Sequence, residues 1–316
     1  MTDLLTVQVA ERVDEAEGIV GLVLVDPQGV PLPEWAPGAH IDLHLDRPGE
    51  PTLVRQYSLC GDPADRGSYR VAVLLETDGE GGSRHIHERI RQGQLVRVSE
   101  PRSLFRFEVA PRMVFVAGGI GITPILPMLD AAEAGGVDWT LHYAGRAPET
   151  MAFGASLGRF GDRVCRYVSA EGERMAVPAV VAEAGAAPIY ACGPARLLDA
   201  LEEAATAVGA ELHVERFTNE QDTALEDDHP FDVVLEVSGK TITVQPGESI
   251  LDRVVALGIP APSSCRGGTC GTCETFVLEG RPDHRDAVLN AKEREESEVM
   301  MICVSRCKGD RLVLEL

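Results

Sequence analysis

Over roughly the first hundred positions, apolar and polar residues alternate in short runs, as in "GLVLVD", "HIDLHLD", "SYRVAVLLE" and "QLVRVSE". Turn residues separate the runs, a period-two signature that predicts an antiparallel β-barrel. Within "HIDLH", Ile41, Leu43 and Leu45 share one strand face. His40 and His44 are therefore expected on the opposite, solvated face, not in a metal site. The pattern then changes. "MVFVAGG", "WTLHYAG" and "PIYACG" are apolar strands that alternate with the helical stretches "PILPMLDAAEAG" and "ARLLDALEEAATAVG", a βαβ arrangement that implies a parallel sheet. The last segment opens with "FDVVLEVSGKTITVQPG", a hairpin around Ser238–Gly239, and continues into "SILDRVVALG", a helix capped by Ser249. It predicts a small sheet with one helix packed on it.

Two composition breaks divide these patterns. "TNEQDTALEDDHP", 218–230, is polar, acidic and closed by a proline, and "EPRSLFRFEVAPRM", 100–113, carries two prolines. The expected organisation is a barrel domain over 1–105, an α/β domain over 106–222, a linker over 223–230 and an α+β domain over 231–316.

Charge narrows the possible partners. A formal net charge of −21 argues against nucleic acid or an anionic membrane, because phosphate contacts need clustered Lys and Arg. An acidic surface suits either solubility or docking onto a basic patch. The N-terminal "MTDLLTVQVAERVDEAEG" acquires acids where a signal peptide needs an apolar run, and no stretch of about 18 apolar residues occurs. A cytoplasmic protein is expected, where clustered cysteines indicate metal or redox chemistry more often than disulfides.

Such a cluster is present in "SCRGGTCGTC", 264–273. The spacing is Cys265-x4-Cys270-x2-Cys273, with Cys303 following after 29 intervening residues. This is the plant-type ferredoxin arrangement for a [2Fe–2S] cluster. Gly267, Gly268 and Gly271 let the loop wrap an inorganic core and aim backbone N–H groups at sulfur. Zinc is the alternative, but it usually takes two short cysteine pairs, and Cys265 breaks that pattern. Cys307 rivals Cys303 as the fourth ligand. Cys303 lies in the apolar "VMMICVS", whereas Cys307 lies among charged residues and is expected to be a free surface thiol.

Two further stretches suit phosphate groups. "VFVAGGIGITP", 114–124, is a strand, a glycine turn through Gly118, Gly119 and Gly121, and a helix starting near Thr123–Pro124. It is not G-x-G-x-x-G, and Arg146 stands at the end of the next strand where a ribose-binding acid would be expected. Arg146 could meet a ribose or a 2′-phosphate, so NADH and NADPH both remain open. "YACGP" puts Cys192, Gly193 and Pro194 on the same sheet edge. In the first segment "RQYS", 55–58, could cover and hydrogen-bond a planar ring, and "GEGGSRHIHE", 79–88, places Gly81, Gly82 and Ser83 before a helix. "GASLG", 154–158, fits the hydrolase G-x-S-x-G pattern, but no apolar strand precedes it.

In order, "RQYSL", "GEGGSRHIH", "AGGIGITP", "YACGP", "SSCRGGTCGTC" and "VMMICVSR" make a chain that resembles, over essentially its whole length, the phthalate dioxygenase reductase and vanillate demethylase reductase family. The resemblance implies a flavin barrel and a nucleotide domain of the ferredoxin-reductase type, fused to a β-grasp ferredoxin. It implies that Arg55, Tyr57 and Ser58 hold the flavin ring, that Gly81, Gly82 and Ser83 hold a flavin phosphate, and that Thr123 lies near the ring. It also implies a dinucleotide site of Gly118, Gly119, Gly121, Cys192, Gly193 and Pro194, and Phe217 as an aromatic covering the flavin. FMN and NADH are the implied cofactors. Thr123 and Cys192 would flank the contact across which hydride moves. The implied activity is delivery of electrons to a Rieske oxygenase acting on an aromatic acid or a methyl ether, with a cytochrome P450 as the alternative acceptor. A monomer is expected, and no role is implied for Cys60, Cys165 or Cys307.

Overall fold

The computed structural model describes residues 4–47, 49, 52–77, 81–219 and 228–316. They form two compact units that divide between Glu215 and Arg216. Most of the 223–230 linker lies outside the described residues.

The first unit begins with strands β1 (Leu5–Ala16), β2 (Ile19–Val25), β3 (Ala39–Leu45), β4 (Leu53–Ser58) and β5 (Tyr69–Leu74), then helix α1 (Gly82–Arg89), β6 (Leu95–Val98) and β7 (Arg102–Ser103). They make one sheet in the order β4-β3-β6-β1-β2-β5, with β7 on β3, and every pairing is antiparallel. Val7, Val9, Leu22, Leu24, Ile41, Leu43, Val71 and Val98 fill its core. The opposite face of β3 departs from expectation, because His40 and Asp42 are also buried and His44 is half-buried. The segment from Ser99 to Ser103 covers that face. Arg102 pairs with Asp42 at 2.7 Å, and Ser99 Oγ accepts the Asp42 N–H at 2.9 Å.

The same unit continues with β8 (Arg112–Gly118), α2 (Ile122–Ala134), β9 (Asp138–Gly145), α3 (Gly154–Leu157), β10 (Val164–Val168), α4 (Val177–Ala184), β11 (Ile189–Cys192), α5 (Ala195–Val208) and β12 (Leu212–Glu215). Its sheet is wholly parallel, in the order β10-β9-β8-β11-β12. The chain lays β9 and β10 to one side of β8, then crosses to add β11 and β12 on the other. The gap between the carboxyl ends of β8 and β11 is therefore the switch point at which open α/β sheets bind ligands. Aromatic packing ties the barrel to this layer. Phe105 meets Tyr190 at a tilt with ring centres 5.7 Å apart, Phe107 meets it edge-on at 5.3 Å, and Tyr190 OH accepts the Glu108 N–H at 3.1 Å.

The second unit contains β13 (Phe231–Leu235), β14 (Lys240–Val244), α6 (Ile250–Ala256), β15 (Glu274–Glu279), β16 (Pro282–Asp283), α7 (Ala291–Glu296), β17 (Val299–Met301), β18 (Arg306–Cys307) and β19 (Arg311–Leu314). The hairpin turns through Gly239 at φ 65°, and Ser249 caps α6 by accepting the Asp252 N–H. The sheet runs β14-β13-β19-β15-β17, with Ile250, Leu251 and Val254 of α6 packed into its core. Cys307 is not a surface thiol. It is 3% exposed in that core, with its S–H aimed at the Arg311 carbonyl 3.5 Å away and its sulfur accepting the Gly309 N–H at 3.3 Å. Cys307 itself belongs to the short pairing of β18 with β16, opposite Pro282. Among the described residues no helix is long and apolar enough to cross a membrane.

Candidate functional site

At the switch point the two strand ends meet through backbone. A Cβ placed on Gly121 would lie 2.3 Å from the Cys192 carbonyl oxygen, and one on Gly118 would lie 2.6 Å from Pro194 Cδ. Only glycine lets the turn after β8 seat so closely against Cys192, Gly193 and Pro194. Gly119 points its own missing side chain into open space at φ 54°. The turn leads into α2, whose first turn carries no acidic residue and no side-chain cap, so its N–H groups suit an anion. Thr123 is buried there and donates its hydroxyl to the Ile120 carbonyl at 3.0 Å. Tyr143 holds the turn from beneath, donating toward the Gly119 carbonyl at 3.2 Å and the Ala152 carbonyl at 3.3 Å. Arg146, exposed just past the end of β9, follows on the same edge. Tyr143→Phe is expected to raise the KM for NADH several-fold, as loss of one buried hydrogen bond of about 1 kcal/mol implies, with kcat little changed in steady-state assays.

On the barrel, β4 carries Arg55, Tyr57 and Ser58. Arg55 crosses to the start of α1, where a Cβ on Gly82 would fall 2.7 Å from Arg55 Cγ. This glycine cradle and the uncapped helix end at Gly81, which has φ 86° and no acid in the following turn, fit a phosphate group. Ser83 Oγ accepts the Glu76 N–H at 3.0 Å, so its hydroxyl also ties the turn to the end of β5. Gly79 and Glu80 of that motif lie outside the described residues. Ser156 of "GASLG" is exposed on the four-residue α3, with no strand before it, so there is no nucleophile elbow.

Sequence reasoning missed Glu215. Register places it beside Cys192, and its Oε2 lies 3.5 Å from Ser58 Oγ, joining barrel to sheet. Cys192 is fully buried, and burial followed by the Glu215 charge holds its thiol well above the ordinary range. Burial pushes the Glu215 carboxyl up to about 8, against the lowering effect of the Ser58 hydrogen bond. In the unfolded chain this carboxyl ionises near 4.5, whereas in the folded protein it keeps its proton until about 8. Its contribution to stability is therefore full below pH 4.5 and is lost as pH rises through that window, by on the order of 5 kcal/mol. Glu215→Gln is expected to flatten this fall and raise the melting temperature at pH 8, measured by thermal denaturation across pH.

In the second unit the sulfurs of Cys265, Cys270, Cys273 and Cys303 converge. Cys265 lies within hydrogen-bonding reach of Cys270 and Cys303, and Cys273 of Cys303. The backbone N–H groups of Gly267 and Thr269 both point at Cys265 Sγ from 3.4 Å. Donors from Cys270 and Cys303, then Thr269, lower the Cys265 thiol, while the same contacts and burial raise the thiols of Cys270 and Cys303. The loop adopts positive φ at Arg266, Gly268 and Gly271. Three of the four sulfurs are buried, and Cys265 is half-buried. Phe217 is 41% exposed and belongs to this unit.

Residues 233–308 match the family model for a 2Fe–2S iron–sulfur cluster binding domain. The toluene-4-sulfonate monooxygenase system reductase subunit of Comamonas testosteroni is 41% identical over 310 residues, covering 95% of each chain. The crystal structure of phthalate dioxygenase reductase, described as a modular structure for electron transfer from pyridine nucleotides to [2Fe–2S], aligns with a TM-score of 0.72 and 34% identity over 99% of this chain and 98% of that one. The chain belongs to the phthalate dioxygenase reductase family. Like other members of this family it is a flavin iron–sulfur oxidoreductase and an electron-transfer component of an oxygenase system. An intact type IV self-sufficient cytochrome P450 monooxygenase contains a region that is 44% identical, with a TM-score of 0.88. This chain covers 99% of its own length there, but only 41% of that longer protein.

Proposed function

We propose that this chain takes electrons from NADH at the barrel and α/β unit and passes them, through its ferredoxin unit, to a separate Rieske-type oxygenase acting on an aromatic acid or a methyl ether. The quartet of converging cysteines in one unit, on the same chain as a nucleotide-shaped switch point in the other, carries this reading, since it supplies a one-electron carrier as well as a hydride-accepting site. When bound, FMN accepts a hydride and releases electrons singly, and a [2Fe–2S] cluster carries them one at a time.

The chain's own residues bind and orient. Arg55, Tyr57 and Ser58 hold the flavin ring, while Gly81, Gly82 and Ser83 leave room for its phosphate at the start of α1. Gly118, Gly119, Gly121, Gly193 and Pro194 admit the dinucleotide pyrophosphate, and Arg146 faces the adenosine end. Thr123 and Cys192 flank the place where nicotinamide and flavin meet. Below pH 8 Glu215 keeps its proton beside Ser58 and Cys192 and puts no negative charge into the contact. Cys265, Cys270, Cys273 and Cys303 ligate the cluster, with the Gly267 and Thr269 N–H groups stabilising negative charge on sulfur. The reducing cytoplasm suits eight cysteines none of which forms a disulfide.

A P450 acceptor is the second reading, favoured by the 44% identity to a region of a self-sufficient P450 monooxygenase. The acceptors separate in one assay. NADH oxidation should accelerate on adding a Rieske oxygenase with its substrate, and not on adding an equal concentration of P450. The reverse pattern would select the P450 reading.

A further inference from the structure

Asn219 stands in the polar stretch after β12, outside every motif that binds a cofactor. Its side-chain amide donates to two carbonyls, those of Gly267 at 3.1 Å and Arg285 at 2.7 Å, which together use both of its hydrogens. Gly267 lies inside the cysteine loop and aims its own N–H at Cys265 Sγ. Arg285 belongs to a turn whose Ala287 N–H donates to the Gly268 carbonyl at 2.8 Å. The Arg285 N–H donates to Ser305 Oγ at 3.2 Å, two residues beyond Cys303. The guanidinium of Arg285 is fixed in turn by Asp228 at 2.6 Å and Asp283 at 2.7 Å. A single amide thus ties the loop that bears three of the cysteines to a turn anchored beside the fourth.

The loop needs an external tie. Its left-handed residues, Arg266, Gly268 and Gly271, cannot be held by helix or sheet ladders, and such conformations persist only where surrounding contacts over-determine them. The amide also packs directly on the loop, since a Cβ on Gly268 would lie 3.0 Å from Asn219 Nδ2.

We propose that Asn219 is a positioning residue for the cluster loop. It keeps the Gly267 peptide turned so that its N–H faces the Cys265 sulfur. That donor favours the more negative, reduced form of the cluster, so the stretch after β12 helps to set the reduction potential. The proposal rests on the [2Fe–2S] reading of the four cysteines.

The test uses the full-length holoprotein carrying Asn219→Ala or Asn219→Ser, the serine retaining one donor. Three readouts apply: the EPR spectrum of the reduced cluster, its midpoint potential, and the rate of bleaching by an iron chelator. Asn219→Ala is expected to lower the potential, shift the EPR spectrum and bleach on the order of tenfold faster. Asn219→Ser should fall between it and the wild type, and it carries the test if the alanine protein does not assemble. Wild-type potential, spectrum and bleaching in the variants would overturn the proposal, even with a lowered melting temperature. A wild-type protein without a [2Fe–2S] spectrum would instead overturn the cluster reading beneath it.

Discussion

Cys303→Ser is expected to abolish electron delivery to a protein acceptor, by at least about 100-fold, while NADH still bleaches the flavin. Loss of partners behind a metal ligand alone costs 10- to 100-fold in typical sites, and loss of a ligand should cost more. Cys303 is chosen by position: it is buried and within hydrogen-bonding reach of both Cys265 and Cys273. Cys307→Ser should keep the cluster and its turnover, because the Cys307 sulfur is already occupied by the backbone groups of Gly309 and Arg311. Iron content, visible absorption and acceptor reduction of the two variants side by side decide the fourth ligand. A cluster lost in Cys307→Ser and kept in Cys303→Ser would reverse the assignment.

The second large effect is expected at Gly121. Its backbone is ordinary, with φ −62°, so strain in the turn itself is not the issue. The added methyl of Gly121→Ala would collide with the Cys192 carbonyl and with the Gly193 nitrogen, 2.7 Å away. Backbone cannot rotate aside as a side chain does, so the ends of β8 and β11 must part. Overpacking of this kind costs about 1–3 kcal/mol, and a displacement near 1 Å in a hydride-transfer geometry can cost about 100-fold in rate. Gly119→Ala provides the contrast. Nothing lies within 4 Å of its added Cβ, and only its φ of 54° is penalised, by about 1 kcal/mol. Stopped-flow reduction of the flavin by NADH should therefore rank Gly121→Ala far below Gly119→Ala. Equal rates would mean that the close approach of the two loops does not position the nicotinamide.

The residues legible in the sequence were those whose spacing is itself chemical. Cys265, Cys270 and Cys273 stand at the fixed intervals expected of cluster ligands on one loop, and the glycines after β8 mark a turn that closes directly on the backbone at the end of β11. Alternation likewise exposed the barrel strands, and continuous apolar runs exposed β8, β9 and β11. What stayed hidden depends on contacts between distant segments. Glu215 is one acid among 50 acidic residues, and only the pairing of β12 with β11 and the approach of Ser58 single it out. Asn219 sits in a stretch whose composition suggests a passive tether, and its partners lie 48 and 66 residues away. The second face of β3 was misplaced because period-two alternation identifies a buried face but cannot show that a later segment, Ser99–Ser103, will cover the other. Cys307 was misplaced for a related reason. Its charged neighbour Arg306 is itself buried, stacked 5.0 Å above the Phe231 ring and bonded to the carbonyls of His229, Gln245 and Glu248, so a charged context did not mean an exposed one.

Anaerobic titration of the purified protein with NADH, followed by visible absorption, tests the central claim most directly. About three electrons per chain should be taken up, two by the flavin and one by the cluster, with both sets of bands bleaching. Uptake of two electrons with only flavin bands present would contradict the account, because the four cysteines would then hold no electron carrier.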